Sequence, residues 1–395
     1  MKHLVLDTEN TTFQKGNPFS QRNKTCAIGY LCSSELGIRK DCIPWEYSEP
    51  VSVDYLNLIK QLIDDTNLLI GFNLKYDLHW LRRYGIIDYR SLKPAVWCCQ
   101  VAEFIISHQQ DVYPSLERSC AKYGISGKFL DIVTDYWDKG IDTPQIPFEI
   151  IAERGTSDVD LTFQLYQKQM EYLRDKPKML QLIRLANQDL ITLAEMEWNG
   201  LRFDGNQAAE KAALIEQQMK EIDENIKQLV GQFDFNFNSV DHVSAILYGG
   251  VVRFKQAHPF ERTFKSGKRA GETVIGYKHS EKLVRFPRIV EPLENTKLAK
   301  DGYWSTDKGI LPRLNAKGQA KEVVNLLIRR SKMEQLASTY LRGFPKKMQE
   351  MDWVDGEIHG QLNQCVAVTG RLSASGPNMQ NIPPEIDELV TSRFN

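Results

Sequence analysis

Short apolar runs alternate with amphipathic stretches through the first 180 residues. Residues 3–6 (HLVL) run apolar into Asp7, and 27–32 (AIGYLC) form a second run, as buried strands do. The polar segment between them carries Gly16 and Pro18 and reads as a loop. Within 54–65, Tyr55, Leu58, Ile59 and Leu62 recur at helical spacing. LLIGF (68–72) reads as another strand, followed by a helix from about Tyr76 through Arg83. A further helix is expected over about 158–174, with Val159, Leu161, Phe163 and Leu165 mixed around it rather than set on one stripe. The alternation predicts an α/β domain.

Beyond a junction at 175–187 the pattern changes. The stretches 187–198, 206–230 and 320–342 are rich in Glu, Gln, Lys, Leu and Ala at helical spacing and predict long amphipathic helices. The block 251–318 holds Gly, Pro, aromatic and β-branched residues in hairpin-like runs such as GETVIGYKH, so a β-containing insertion is expected there. No internal repeat or low-complexity tract occurs.

Length and composition refine this picture. A chain of 395 residues exceeds one ordinary core and calls for at least two domains. Hydrophobic content of 42% and charged content of 26% fit a globular protein. The net charge of −1 hides an uneven distribution, because residues 253–300 carry twelve Lys/Arg against five Asp/Glu. Such a stretch suits phosphate contact, and equally a solvated hairpin. The seven cysteines include no C-x-x-C pair, which points to reduced thiols rather than a zinc site or disulfide framework. The first residues reach an acid too soon for a signal peptide, and no apolar run approaches the roughly 18 residues of a membrane span. A soluble, cytoplasmic protein without membrane contact is expected.

Three segments carry the candidate chemistry. Asp7 and Glu9 in D-T-E stand two apart on an expected strand and so project from one face. Asp77 follows a strand and lies on a helix within GFNLKYDLHWL, and Asp158 is expected at the start of the next helix, with Asp160 close behind. Phosphodiester hydrolysis by two divalent cations about 3.5–4 Å apart needs such a carboxylate set, and oxygen ligands suit Mg²⁺ or Mn²⁺. Taken singly, a D-x-E is commonly a solvated turn and a helical Asp a surface residue or cap.

Their order and contexts resemble the proofreading exonucleases of family A DNA polymerases, of the bacterial polymerase I and phage replicase kind. Leu4–Glu9 matches the D-x-E motif, Asn73–Asp77 matches N-x-x-(F/Y)-D, and Asp158 with Thr162, Phe163 and Leu165 matches the third motif. The resemblance implies a ribonuclease-H-like α/β fold, with Asp7, Glu9, Asp77 and Asp158 as catalytic metal ligands. In that scheme Asp7, Glu9 and Asp158 hold one cation, Asp7 bridges to a second near Asp77, Glu9 helps orient the attacking water, and Asn73 contacts DNA. Asp160 is an alternative register that fits the Thr spacing less well. One departure stands out: four residues before Asp158 the family usually has Tyr, sometimes His, and this chain has Arg154. Arginine is always charged and takes up no proton. Another residue then orients the water, or the exonuclease is weakened.

The resemblance continues through MEWNGLRFD (196–204), NFNSVDHVSAIL (236–247) and LASTYLRGFP (336–345), similar to family segments of the palm opening and thumb. It is strongest in LNQCVAVTGRLSASGPNMQNIP (362–383), which in the family lies along the primer–template duplex. Arg371, Ser373, Ser375, Asn378, Gln380 and Asn381 are the implied DNA-binding residues, supplying a cationic fork and neutral donors and acceptors. The expected organisation is therefore an exonuclease domain over 1–180, a mainly α-helical thumb over 181–350 with the insertion at about 251–318, and a partial palm over 351–395. The family's next motif, D-(Y/F)-S-Q-x-E, is not reached before Asn395. Nucleotidyl transfer would then need a second polypeptide carrying the rest of the palm and the fingers, unless the chain is shortened. An incomplete palm leaves strand edge and apolar surface open to that partner. The insertion could take a processivity factor or DNA, and phage origin fits the compact start. KSGKRAGE (265–272) lacks the order of a phosphate-binding loop. A DNA-binding scaffold with a weakened nuclease is the rival expectation, and an RNA exonuclease would leave 362–383 unexplained.

Overall fold

The structure is a computed structural model and describes residues 2–35, 37–126, 132–264 and 271–393. The segment 265–270 of KSGKRAGE lies outside the described residues. The chain divides into two compact units, Met1–Gly205 with Phe344–Asn395, and Asn206–Gly343. The expected boundaries at 180 and 350 fall inside helices.

The first unit is built on a five-stranded mixed sheet. Strands β1 (His3–Asn10), β2 (Thr25–Ser34) and β3 (Gly37–Pro44) form an antiparallel meander. After helix α1 (Val53–Asp64) comes β4 (Leu68–Gly71), then α2 (Leu74–Arg83) and β5 (Ala95–Cys98), giving the order β3-β2-β1-β4-β5 with β1, β4 and β5 parallel. In β1, Leu4, Val5 and Leu6 are all buried, as a central strand covered on both faces requires. Helices α3 (Cys99–Ile106), α4 (Leu116–Lys122) and α5 (Ile132–Asp138) follow, then α6 (Phe148–Leu173) and α7 (Pro177–Asn199), which leads into the short strand β6 (Leu201–Phe203).

Two helices differ from the sequence reading. α6 begins at Phe148, ten residues before the expected start, so Asp158 lies inside the helix and not at its N-terminus. The stripe Ile151, Gly155, Val159, Thr162 and Tyr166 is buried at spacings of three and four, which carries the helix straight through Gly155-Thr156-Ser157. α7 likewise starts at Pro177, a residue pre-shaped for the first helical position, and its buried stripe Ile183, Asn187, Leu190, Ala194 and Glu197 runs unbroken through the expected junction.

α6 lies across β1, β2 and β3 at short range because two glycines face each other. A Cβ on Gly29 of β2 would come within 2.6 Å of the Gly155 carbonyl oxygen, and one on Gly155 would meet Cys42 Sγ at 3.0 Å. A glycine inside a helix costs about 1 kcal/mol relative to alanine, and here it permits the backbone contact that sets the height of α6 above the sheet.

The second unit comprises α8 (Gly205–Val230), α9 (Val240–Tyr248), the two long strands β7 (Gly249–Thr263) and β8 (Thr273–Arg288), and α10 (Gln319–Gln335), which widens into a π-helical turn at Leu336–Leu341. The expected β-containing insertion is thus an antiparallel two-stranded ribbon. Its base is cored by Phe254 and Phe286 packed with Phe233, Phe235, Val243 and Leu327. Arg330 is buried with partners, bonding Asp223 at 2.5 Å and Asn238 at 2.7 Å.

The chain then returns to the first unit through α11 (Gly343–Met351), β9 (Glu357–Ile358), β10 (Gln361–Asn363), β11 (Ser373–Ser375) and β12 (Val390–Thr391). β12, β6 and β9 form a small antiparallel sheet, and β10 pairs with β11. Val354 and Val368 in this segment are about half exposed. Glu197 of α7 ties the segment down: it takes Lys75 Nζ at 2.6 Å and His79 Nε2 at 2.8 Å, and accepts the Leu362 amide, while Lys75 also reaches the Leu362 carbonyl at 2.5 Å. His79 is completed by the Tyr89 hydroxyl at 2.8 Å. All seven cysteines are free thiols, and no helix among the described residues is long and apolar enough to cross a membrane.

The Gly29–Gly155 contact yields a direct expectation. Gly29→Ala should lower stability by about 1–3 kcal/mol in urea unfolding, as overpacking does, and weaken divalent-cation binding by the first unit. Unchanged values for both would show that α6 does not need the close approach.

Candidate metal centre

Asp7 and Glu9 sit on β1 opposite Gly29 and Ala27 of β2 and point from one face, as their spacing predicts. The end of the strand is fixed by Asn10, whose carbonyl accepts from Thr143 Oγ1 at 2.6 Å and whose side chain accepts from Thr25 Oγ1 at 2.8 Å. Asp158, one turn beyond Arg154 on α6, comes down to the same place. Carboxylate oxygens of Asp7, Glu9 and Asp158 all lie within 4.8 Å of one another.

Asp77, buried on the first turn of α2, lines the same cavity but is held differently. Its Oδ1 accepts from the Thr8 amide at 3.0 Å and the Thr8 hydroxyl at 2.7 Å. α2 starts at Leu74, two residues earlier than expected, and Asn73 takes a left-handed backbone with φ of 56° at its cap position. Asp160 is elsewhere: it pairs with Lys40 at 3.0 Å and does not line the cavity, whereas Asp158 does. The cavity holds about 510 Å³ and is also bordered by Lys15, Gly16, Phe72, Tyr76 and Trp137. Tyr76 donates to the Gly16 carbonyl at 2.8 Å and so pins the loop after β1. Thr8, Tyr76 and Trp137 were missed by the sequence reading. Thr8, between the two acids, and Tyr76, inside the N-x-x-(F/Y)-D motif, carried local signals, and Trp137 carried none.

Arg154 is the cation of the cluster. Its Nε lies 3.1 Å from Glu9 Oε1 and 3.7 Å from Asp158 Oδ2, and its guanidinium sits 4.8 Å from the centre of the Trp137 ring. The contact is an ion pair without a directed hydrogen bond, because both Glu9 Oε1 and Arg154 Nε are buried with no hydrogen-bond partner. Burial pushes the Glu9 carboxyl up to about 7, with Arg154 opposing the rise and Asp158 adding to it. Asp77 is pushed up to about 7 by burial, against the Thr8 hydrogen bonds. Asp7 rises well above the usual carboxylate range through burial and the charges of Asp77, Glu9 and Asp158, and Asp158 rises through burial. Clustered acids that resist ionisation fit a divalent cation, which removes the repulsion by binding them.

The second set of expected residues forms no such pocket. Arg371, Ser375, Asn378, Gln380 and Asn381 are exposed and Ser373 half-buried along the β11 hairpin and the following turn. Asn363 donates to Ser375 Oγ at 2.9 Å, and Asn378 Oδ1 accepts the Gln380 amide at 3.0 Å, so the strip is ordered by its own side chains. Arg371 borders a separate cavity of about 320 Å³ against α3 and α7.

Comparison with known proteins places these features in context. Residues 280–393 match the sequence profile of DNA polymerase family A. The chain is 24% identical over 392 residues to DNA polymerase I of Pseudomonas aeruginosa, covering 96% of this chain and 36% of that protein. It is 28% identical over 191 residues to the thermostable DNA polymerase I of Thermus filiformis, covering 48% of this chain and 17% of that one. The chain therefore spans roughly a third or less of these relatives. Among solved structures, the POL domain of Pol1 from M. smegmatis in complex with DNA primer-template and dNTP aligns with a TM-score of 0.62 at 15% identity, over 97% of this chain and 52% of that chain. That likeness concerns the fold.

Two outcomes follow from the electrostatics. Carboxyls whose folded pKa is raised to about 7 favour the native state while protonated. The metal-free protein should therefore be stabilised by this cluster at about pH 4 and lose that contribution as pH rises through about 7. Mg²⁺ or Mn²⁺ competes with those protons, so the cation-induced rise in Tm should be larger at about pH 8 than at about pH 6. A rise independent of pH would contradict the arrangement. Arg154→Tyr removes a fixed charge next to two ligands and should tighten Mn²⁺ binding about tenfold in calorimetric titration.

Proposed function

We propose that the first unit is a two-metal 3′→5′ DNA exonuclease of ribonuclease-H-like fold, and that the chain is the exonuclease and DNA-binding portion of a family A DNA polymerase. The observation that carries the reading is the meeting of Asp7, Glu9 and Asp158 within 4.8 Å, in a cavity that Asp77 also lines. In this reading residues 1–180 are the exonuclease domain, 181–350 the thumb with its ribbon insertion, and 351–395 part of the palm.

Asp7, Glu9 and Asp158 would hold one divalent cation and Asp7 with Asp77 a second, Mg²⁺ or Mn²⁺. Bound there, the pair supplies Lewis acidity to the scissile phosphate and makes a nucleophile of water near neutral pH. The chain's own groups do the rest. Thr8 fixes the rotamer of Asp77 through two hydrogen bonds to one oxygen and leaves the other for the site. Phe72, Tyr76 and Trp137 border the cavity and give ring surface on which unpaired terminal bases can stack. Asn73, held at the cavity wall by its left-handed backbone, offers its amide to the strand. Arg371, Ser373, Ser375, Asn378, Gln380 and Asn381 would contact the backbone of a primer–template duplex. The thumb insertion is open to a processivity factor.

A second reading is favoured by one observation. Arg154 already neutralises Glu9 and Asp158, so the nuclease could be attenuated and the chain serve mainly as a DNA-binding scaffold that completes a polymerase.

An end-labelled single strand incubated with the protein and Mg²⁺ or Mn²⁺ separates the two. Stepwise shortening from the 3′ end is expected, with a loss of at least about a hundredfold in Asp7→Ala/Glu9→Ala. No cleavage with either metal, while DNA binding persists, would establish the scaffold reading instead.

A further inference from the structure

Two cations border the metal cavity, Lys15 and Arg154. Lys15 is exposed, whereas the Arg154 side chain is three-quarters covered and stands among the acids. A counter-charge whose only task is neutralisation would pair with a carboxylate through its fork, as bidentate Arg–carboxylate pairs do. Arg154 does not. Its Nε comes within 3.1 Å of Glu9 and 3.7 Å of Asp158 but is buried with no hydrogen-bond partner. A buried donor left in that state costs about 1–3 kcal/mol, so the guanidinium is held where the chain itself does not satisfy it.

What holds it there is the indole of Trp137, whose ring centre is 4.8 Å from the guanidinium carbon. Trp137 Nε1 donates to Thr143 Oγ1 at 3.2 Å, and that hydroxyl donates to the Asn10 carbonyl at 2.6 Å. Asn10 follows Glu9 on β1, so the platform under the arginine is tied to the strand that carries two of the acids. With one face of the guanidinium on the indole, its N–H edge is left for the cavity. An arginine has five donors, no acceptor and a permanent charge, so it cannot take a proton from an attacking water. Its chemistry suits the oxygens of a phosphate, which a planar fork binds two at a time. The cavity's roughly 510 Å³ falls in the range that admits a group of nucleotide size.

We propose that Arg154 is a catalytic residue that exchanges Glu9 and Asp158 for the non-bridging oxygens of the scissile phosphate when a strand enters, an inference that rests on the nuclease reading. In the resting cavity the guanidinium offsets the two carboxylates, and in the loaded one it offsets the phosphate. The step it assists is balanced without any further reactant. The water oxygen forms the new bond to phosphorus, the bond from phosphorus to the 3′ oxygen of the shortened strand breaks, and one water proton ends on that oxygen. Arg154 keeps all its protons and stabilises the negative charge that builds on the phosphate oxygens. The arginine thus weakens cation binding at rest yet speeds the reaction once substrate is bound.

Two measurements test this on the parent protein, Arg154→Ala, Arg154→Lys and Lys15→Ala. In the first, single-strand shortening is followed at saturating Mn²⁺. Arg154→Ala should bind Mn²⁺ more tightly and yet show kcat lowered about a hundredfold, the scale of losing a donor to a developing oxyanion. Arg154→Lys, which keeps the charge without the fork, should fall between the two. A kcat in Arg154→Ala equal to or above the parent's would make the arginine an inhibitor of the site and overturn the proposal. The second measurement involves no metal and no turnover: thymidine 5′-monophosphate and thymidine are titrated calorimetrically in EDTA at about pH 6. The parent should prefer the monophosphate about tenfold, the scale of one charge-assisted hydrogen bond. That preference should vanish in Arg154→Ala and persist in Lys15→Ala, which loses the same charge from the same cavity. No preference in the parent, or an equal loss in Lys15→Ala, would also overturn it. Should the parent shorten no strand, the nuclease reading falls, and the titration still decides whether Arg154 holds phosphate.

Discussion

The metal centre depends on how closely α6 approaches the sheet. Three carboxylates repel one another, and nothing in the local sequence of β1 or α6 draws Asp158 towards Asp7 and Glu9. What brings them together is packing: the buried stripe of α6 faces the apolar meander of β1, β2 and β3, and Gly29 against Gly155 lets backbone meet backbone. Asp158 lies one turn past that contact, on the side that overhangs the strand end. The hydrophobic core thus holds these acids together, at a cost that appears as their raised pKa values, set first by burial and added to by neighbouring acids at Asp7, Glu9 and Asp77.

Arg154 relieves part of that cost from within the chain. One turn before Asp158 on the same helix, it reaches both Glu9 and Asp158 and rests its guanidinium on Trp137. A fixed cation and a bound divalent cation are alternative answers to the same repulsion. The arginine therefore makes the metal-free fold more secure and the metal-bound state less favoured, and the two candidate functions of the chain differ in which answer prevails.

A second constraint links helix α2 to the C-terminal segment. Lys75 and His79 flank Asp77 on α2, and both end on Glu197, which also accepts the Leu362 amide at the start of the segment leading to Arg371 and Ser373. Glu197 is buried but keeps its pKa lowered, because the His79 and Lys75 partners outweigh the desolvation that would raise it. Removing any one partner would leave a buried charge unmatched, which is far more costly than a lost surface ion pair. The position of the 371–381 strip relative to α2 is set by this network rather than by the strip's own two-residue and three-residue strands.

Much of this was legible in the linear order of residues. The strands at 3–6, 27–32 and 68–72 follow from apolar runs, the shared face of Asp7 and Glu9 from strand alternation, and the ribbon from its β-branched and aromatic blocks. The start of α6 was not legible, because Gly155-Thr156-Ser157 looks like a helix break until the sheet supplies Gly29 for the glycine to pack against. The beginning of α7 was hidden in the same way, since its stripe from Ile183 to Glu197 becomes a pattern only when the surface it covers is known. Local sequence determines which backbone conformations and which donor groups are available, because propensity, period and residue chemistry act over a few residues. Which acid joins Asp7 and Glu9 and what stands beside them as counter-charge were decided by tertiary packing, because each is a distance between segments far apart in the chain.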